Sequence, residues 1–273
     1  MKTKNLVKQL VVAMAFAFAF VAFACAEDKS KVATPFSVEQ TQEIGGIIRS
    51  YLLDHPELIT EAMQKLQDRE KQAEDQKLSA AAKSVKPVMS EDHIRGNANA
   101  SVKIVEFSDF ECPFCKSFHT SVKQVMNDYE KNGQVAWVYR HFPIDELHSK
   151  ARKEAQASEC AAELGGNKAF WGFADGLFEI APSNNQLDLA MLPKIAEDLG
   201  IDKVKFAACL EGDLRGGKFA AHIESNVQDA TASGGTGTPY SLVINSKGHI
   251  FPINGAESYE AVKAIIDTAL KEE

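Results

Sequence analysis

No stretch of this chain is apolar for the roughly 20 residues that a membrane-spanning helix needs. The longest run, Leu10 to Phe23, covers about 14 residues. Cations are not in excess either. There are 30 Lys and Arg against 38 Asp and Glu, a net charge of −8 that argues against nucleic acid as a main partner. With 25% charged and 8% aromatic residues, wholesale disorder, collagen and multi-pass membrane classes are excluded, and there is no internal repeat. Cysteine is scarce. Five in 273 residues is an odd count for a disulfide framework, and with one C-x-x-C pair instead of two a zinc ribbon cannot be built.

The first 26 residues resolve the odd count. Lys2, Lys4 and Lys8 precede the apolar run, and Ala22-Phe23-Ala24 and Ala24-Cys25-Ala26 form two overlapping A-x-A cleavage sites before Glu27. This pattern predicts a bacterial export signal over 1–26. A lipoprotein would keep Cys25 as its first, lipidated residue, but Phe23 and Ala22 match a lipobox poorly. Cleavage after Ala26 leaves 27 cationic and 38 acidic side chains, a net charge of −11. Four cysteines remain, Cys112, Cys115, Cys160 and Cys209, in a compartment that permits disulfides.

The remaining chain falls into two zones, 27–86 and 87–273. In the first, Ser37 with Gln40 fits a capping box, and Ile44, Ile47, Ile48, Tyr51 and Leu52 recur at helical spacing. Gly45 and Gly46 interrupt that pattern, each at about 1 kcal/mol against alanine. Asp54, Pro56 and Glu57 read as a stop and restart, and Leu58, Ile59, Ala62, Met63 and Leu66 form the stripe of a second helix. Beyond Leu66 the sequence is charged, a solvated helix or linker to about Val85. The stripe either docks on the main domain or pairs with copies of itself; the charged stretch after it favours self-association.

From Val102 the pattern alternates. Val102 to Phe107 reads as a strand, Pro113 to about Lys131 as a helix, and Gln134 to Arg140 as a second strand. Residues from about 145 to 232 read as several helices. Tyr240 to Asn245 and His249 to Ile253 read as a hairpin, and Ser258 to Leu270 as a closing helix. The plan is α/β with a helical insertion.

Cys112-Pro113-Phe114-Cys115 stands where a strand hands over to a helix. A thiol in the first turn faces bare backbone N–H groups and the positive end of the helix dipole, which favour its thiolate. The thiolate attacks disulfides, and a second cysteine three residues on can resolve the mixed disulfide. Pro113 suits the first turn, and Phe114 adds apolar surface without charge. Among competing readings, Cys112, Cys115 and His119 supply three metal ligands without a convincing fourth, and haem attachment needs a histidine where Lys116 stands.

Glu106-Phe107-Ser108-Asp109-Phe110-Glu111-Cys112-Pro113-Phe114-Cys115 resembles the active-site segment of the DsbA family of periplasmic thiol-disulfide oxidoreductases. Gly237-Thr238-Pro239 is similar to that family's cis-proline loop. The resemblance implies a thioredoxin fold with a helical insertion, an exposed nucleophile at Cys112, a more buried partner at Cys115, and no cofactor or metal. It also implies a buried acid at Glu106, which shares a strand face with Val102 and Ile104. Thr238 and Pro239 would pair with substrate backbone. Some relatives carry a second disulfide in the insertion. A bond between Cys160 and Cys209 would contribute about 4 kcal/mol by chain entropy, and the alternative is two buried thiols.

Phe36 to Glu57 resembles the N-terminal extension of DsbA-like proteins related to ScsC and to outer-membrane antigens of intracellular pathogens. That implies a homo-oligomer, dimer or trimer, in the periplasm, with outer-membrane association as a further address. The implied partners are unfolded or misoxidised exported proteins and a membrane redox protein of DsbB or DsbD type. Oligomerisation and Thr238 lean towards an isomerase, the Pro-Phe dipeptide towards an oxidase. The readings from other classes are a non-catalytic envelope chaperone or surface antigen, and a metal-handling protein that uses the reduced cysteines.

Overall fold

The computed structural model describes residues 35–129, 132–214 and 216–272. The expected export segment and Cys25 lie outside them. The chain divides into two compact units between Leu66 and Gln67.

In the first unit, α1 (Val38–Asp54) opens on a complete capping box. Ser37 Oγ accepts the Gln40 N–H at 3.2 Å, and Gln40 Oε1 accepts the Ser37 N–H at 2.8 Å. Two donors that a helix start leaves bare are thereby satisfied. The helix then runs through Gly45 and Gly46 without the interruption their low propensity predicts. Neither takes a left-handed φ, and a penalty of about 1 kcal/mol each is small against a capped, cooperative helix of 17 residues. The His55 N–H closes α1 on the Tyr51 carbonyl, and α2 (Glu57–Ala82) restarts just after Pro56. Ile44, Ile47, Ile48 and Tyr51 of α1, and Ile59, Met63 and Leu66 of α2, are all exposed.

The second unit is built on a five-stranded sheet of order β1-β3-β2-β4-β5. Its strands are β1 (His93–Gly96), β2 (Val102–Ser108), β3 (Val135–His141), β4 (Tyr240–Ile244) and β5 (Ile250–Asn254). β2 and β3 are parallel, joined by the crossover helix α3 (Pro113–Tyr129), and the other pairings are antiparallel. Between β3 and β4 stand the inserted helices α4 (Ala151–Ile180), α5 (Leu192–Asp198), α6 (Lys203–Leu214) and α7 (Lys218–Ala232). Helix α4 breaks at Gly166, whose φ of 73° is open to glycine. The chain closes with α8 (Tyr259–Lys271), whose N-cap Ser258 accepts the Ala261 N–H.

Alternation along β2 divides the core. Val102 and Ile104 face Phe118, Val122 and Val125 of α3, Val262 and Ile266 of α8, and the insertion's Phe170 and Phe173. Val105 and Phe107 face the other way, towards Phe142, Ala230 and Tyr240. The charged stretch after Leu66 is not wholly solvated, because Leu78 and Ala82, one turn apart near the end of α2, pack on this second cluster. Gly234 is what lets Leu78 and its neighbour Ala81 approach. Its φ is +101°, and a Cβ there would stand 3.0 Å from Leu78 and 3.1 Å from Ala81.

Two buried polar knots tie distant segments together. Arg140 uses every guanidinium nitrogen: to both oxygens of Asp92 at 2.9 and 2.7 Å, to Asp229 at 2.6 Å, and to the carbonyls of Lys86 and Pro87. At the other knot, one oxygen of Glu159 lies 2.9 Å from His93 Nε2, 2.8 Å from His141 Nε2 and 3.7 Å from His222 Nε2. Burial opposes its charge, but the hydrogen bonds of His141 and His93 hold its carboxyl well below the usual carboxylate range.

Candidate active site

The site forms where β2 ends and α3 begins, against the loop that enters β4. Asp109 shapes the turn between them. Its carboxylate accepts the N–H groups of Glu111 and Ile144 and bonds His148 Nδ1, each at 2.8 Å. Its backbone carbonyl accepts the Cys112 N–H at 3.2 Å, and its N–H points at Cys115 Sγ at 3.4 Å. Glu111 holds the far wall, accepting the N–H groups of Asn184 and Asn185. Those two residues and Ser183 have φ values of 52°, 64° and 68°, a strained turn for side chains other than glycine.

Pro113 is the first residue of α3, so Cys112 sits just before the helix and Cys115 in its first turn. Both cysteines are free thiols. The Thr238–Pro239 peptide bond is cis, and Cys112 Sγ donates to the Thr238 carbonyl at 3.3 Å. The sequence resemblance implies an exposed nucleophile, but Cys112 is only 4% accessible, because its sulfur is roofed by the loop carrying Thr238. Phe114 is what protrudes, at 64%.

The two thiols are driven apart electrostatically. The hydrogen bond from Cys115 lowers the Cys112 pKa to about 6, helped by the Thr238 side chain and the backbone N–H groups of Cys115 and Phe114, with burial opposing. Burial pushes the Cys115 thiol well up, and the neighbouring Cys112 and Glu106 add to the shift. The two shifts run in opposite directions, favouring the thiolate at Cys112 and the thiol at Cys115. Iodoacetamide alkylation of Cys112 should rise with pH through a midpoint near 6 while Cys115 stays unmodified. A midpoint near the ordinary 9.0 would contradict this assignment.

Glu106 is fully buried on the face of β2 that carries Val102 and Ile104. Burial pushes its carboxyl up to about 7, against the hydrogen bond of Trp137. Trp137 Nε1 donates to it at 2.8 Å. His119 turns elsewhere: it is buried against Asp175, its Nε2 2.7 Å from Oδ1. No group of three or more His, Cys, Asp or Glu among the described residues is arranged to hold a metal ion. Away from this centre, Cys160 of α4 and Cys209 of α6 are joined in a disulfide with a Cα–Cα distance of 5.9 Å. Sequence reasoning passed over Asp109, Glu111 and Trp137. Asp109 and Glu111 lie inside the quoted motif, but only the fold reveals that they are buried.

A family model described as thioredoxin matches residues 88–268. The chain belongs to the thioredoxin family. It is a DsbA-like thioredoxin-fold protein with an ScsC-like N-terminal segment, residues 40–73 matching the copper resistance protein ScsC N-terminal domain. The chain is 36% identical over 178 residues to part of the Na(+)/H(+) antiporter NhaA 3 of Salinispora tropica. That alignment takes in 65% of this chain but 24% of the antiporter, so the chain spans about a quarter of the length of the curated relatives it matches. No helix among the described residues is long and apolar enough to cross a membrane. Pseudomonas aeruginosa DsbA2 superposes with a TM-score of 0.54 at 26% identity, covering 67% of this chain and 96% of DsbA2. Salmonella enterica Typhimurium BcfH shares the fold over 85% of this chain and 96% of its own, with a TM-score of 0.69 at 19% identity.

Proposed function

We propose that this thioredoxin-family protein is a periplasmic thiol-disulfide oxidoreductase that forms and isomerises disulfides in exported proteins through Cys112 and Cys115. The observation that carries the reading is the placing of the Cys112 sulfur, at a helix start and 3.3 Å from the carbonyl that precedes Pro239. In the oxidising direction a client thiolate attacks Cys112 Sγ of the Cys112–Cys115 disulfide, and Cys115 leaves and takes up a proton. A second client thiolate then attacks the client sulfur of the mixed disulfide and expels Cys112 as a thiolate. Two electrons pass from client to enzyme. In isomerisation the Cys112 thiolate attacks a wrong client disulfide, and another client thiolate releases it, with no net electron transfer. Pro113 and Phe114 shape the contact surface, and the backbone of Thr238 pairs with the client beside Cys112.

The depressed Cys112 pKa decides which redox form is favoured. A thiol that ionises near 6 when folded and near 9 when unfolded stabilises the reduced protein above pH 6, and that stability is lost as pH falls through 6. Reduction is thus favoured at neutral pH, which suits a protein that gives its disulfide away to clients. A membrane protein of DsbB type would reoxidise it, and one of DsbD type would keep it reduced for isomerisation.

The exposed stripe of Ile44, Ile47, Ile48, Tyr51, Ile59 and Met63, in the segment that matches ScsC, supports assembly into a homo-oligomer. Light scattering should give a dimer or trimer for residues 27–273 and a monomer once 27–66 are removed; a monomer in both would remove the assembly. For the chemistry, refolding of a scrambled disulfide client is the test. Cys112→Ala should abolish both oxidation and reshuffling. Undiminished refolding by that variant would sink the enzymatic reading in favour of a passive chaperone.

A further inference from the structure

One carboxylate of the second unit serves three histidines and takes no part in the exchange chemistry. Glu159 of α4 has the Nε2 atoms of His93 from β1 and His141 from β3 at 2.9 and 2.8 Å, and that of His222 from α7 at 3.7 Å. All three approach the same oxygen. Glu159 and His141 are buried, while the His222 side chain is 21% accessible and reaches furthest into solvent. A cavity of about 600 Å³, lined also by Glu91, Glu163 and Lys218, opens onto His93 and Glu159, so water reaches the edge of the knot.

A carboxylate can balance one imidazolium. With all three rings neutral the knot carries one negative charge, and the first proton cancels it. A second or third leaves net positive charge away from water. His141 is the ring least able to take one. Its Nε2 is committed to Glu159, its Nδ1 is buried without a partner, and the rings of Phe110, Tyr139 and Phe170 surround it. A proton on Nδ1 would create a donor with nothing to accept it. Burial accordingly holds its pKa below the ordinary 6.5, with His93 and His222 adding to the shift and Glu159 opposing it. Burial opposes the charge on Glu159 too, but the hydrogen bonds of His141 and His93 keep it ionised, so acid charges the imidazoles before it neutralises the carboxylate. The next charged groups are already matched. Asp92, beside His93, pairs with Arg140, and one turn along α4 and α7 Glu163 pairs with Lys218 at 3.0 Å.

We propose that Glu159 and its three histidines form a pH-sensitive clasp, closed at neutral pH and opened by acid, that holds the start of β1 and the first turns of α7 against α4. Nothing in the clasp depends on Cys112 or Cys115. His141, whose folded pKa lies below its unfolded value, contributes stability that is present above pH 6.5 and is lost as pH falls below it. Glu159 adds a second loss that begins only below its own unfolded value of 4.5. The opening is local. β1 keeps two further joints to α4: Asn167 binds the N–H and carbonyl of Ile94 at 3.1 and 2.7 Å, and Asp175 binds Arg95 at 2.8 Å. The far end of α7 stays pinned where Asp229 meets Arg140. What acid releases is His93, which lies flat on Phe170 with ring centroids 3.5 Å apart, and His222.

The test is amide hydrogen exchange of residues 27–273 between pH 7.5 and pH 5, corrected for intrinsic rates. Amides of 93–96 and 218–224 should lose protection roughly tenfold or more, while those of β2 and β4 keep theirs. His141→Gln and His222→Gln should each move that loss to lower pH, since each removes a positive charge that acid would add. Glu159→Gln should move it to higher pH, because nothing then offsets the first proton. His222→Gln, at the solvent edge, carries the test if His141→Gln does not fold. Both tryptophans, Trp137 and Trp171, lie under Arg95 at 5.3 and 4.3 Å, so their emission maximum should stay where it is. Unchanged protection of the two segments at pH 5 would overturn the clasp, and so would histidine and Glu159 variants that shift the loss in the same direction. A red-shifted emission with protection lost in every strand at once would overturn it as well, being global unfolding instead of a local release.

Discussion

Arg140→Ala should lower the stability of the folded protein by about 3–5 kcal/mol, the usual loss when one partner of a buried ion pair is removed. The guanidinium is 1% accessible and pairs with two carboxylates, Asp92 and Asp229, that are almost as buried. Truncation leaves both anions facing each other without a cation, and it also strips the carbonyls of Lys86 and Pro87 of their donors. Asp92 keeps only the Met89 N–H and Asp229 the Lys86 N–H, too little to hold two charges away from water. The denaturant midpoint should fall with little change in slope, since the surface exposed on unfolding is nearly the same. Replacing all three charges by apolar residues of similar volume should recover most of the loss, because the desolvation cost disappears with the pair. A loss below about 1 kcal/mol for Arg140→Ala would mean that the knot is not an energetic one.

Replacing Cys160 and Cys209 together by alanine should cost about 4 kcal/mol. The bond closes a loop across 49 positions, and chain entropy in the unfolded state grows with the length so released. For a domain of this size each kcal/mol moves Tm by roughly 2–4 °C, so the melting point should fall by roughly 8–16 °C. Calorimetry on the double variant checks this directly. The midpoint of Cys112 alkylation should stay near 6, because the α4–α6 bond touches neither reactive thiol. An unchanged melting point would show that the insertion is held by its packing alone, through residues such as Phe173, Phe206 and Leu210.

How much of this was legible in advance depended on how local each feature is. The C-x-x-C at a strand–helix junction and the capping box at Ser37 and Gln40 are written within a few residues, and each lies where the sequence puts it. Strand β1 escaped notice because His93 to Gly96 is four residues without alternation, and it exists only by pairing with β3. Arg140 reads as a surface cation at a strand end. Its burial depends on partners 48 and 89 positions away. The neighbourhood of Glu106 was half legible: alternation places Ser108 on its face, but the sequence does not carry the register that sets Tyr139 and Ser241 beside it.

The contact between Cys112 and Thr238 also sets a schedule for the protein's own birth. The two residues are 126 positions apart. A chain made at about 5–20 residues per second emits Thr238 roughly 6–25 s after Cys112. Throughout that interval the C-x-x-C pair exists without the carbonyl that seats its sulfur or the strand β4 that supports the loop. A truncated or stalled chain ending before Thr238 carries both thiols but not the second half of the site, so the two halves meet only when nearly the whole unit has been made.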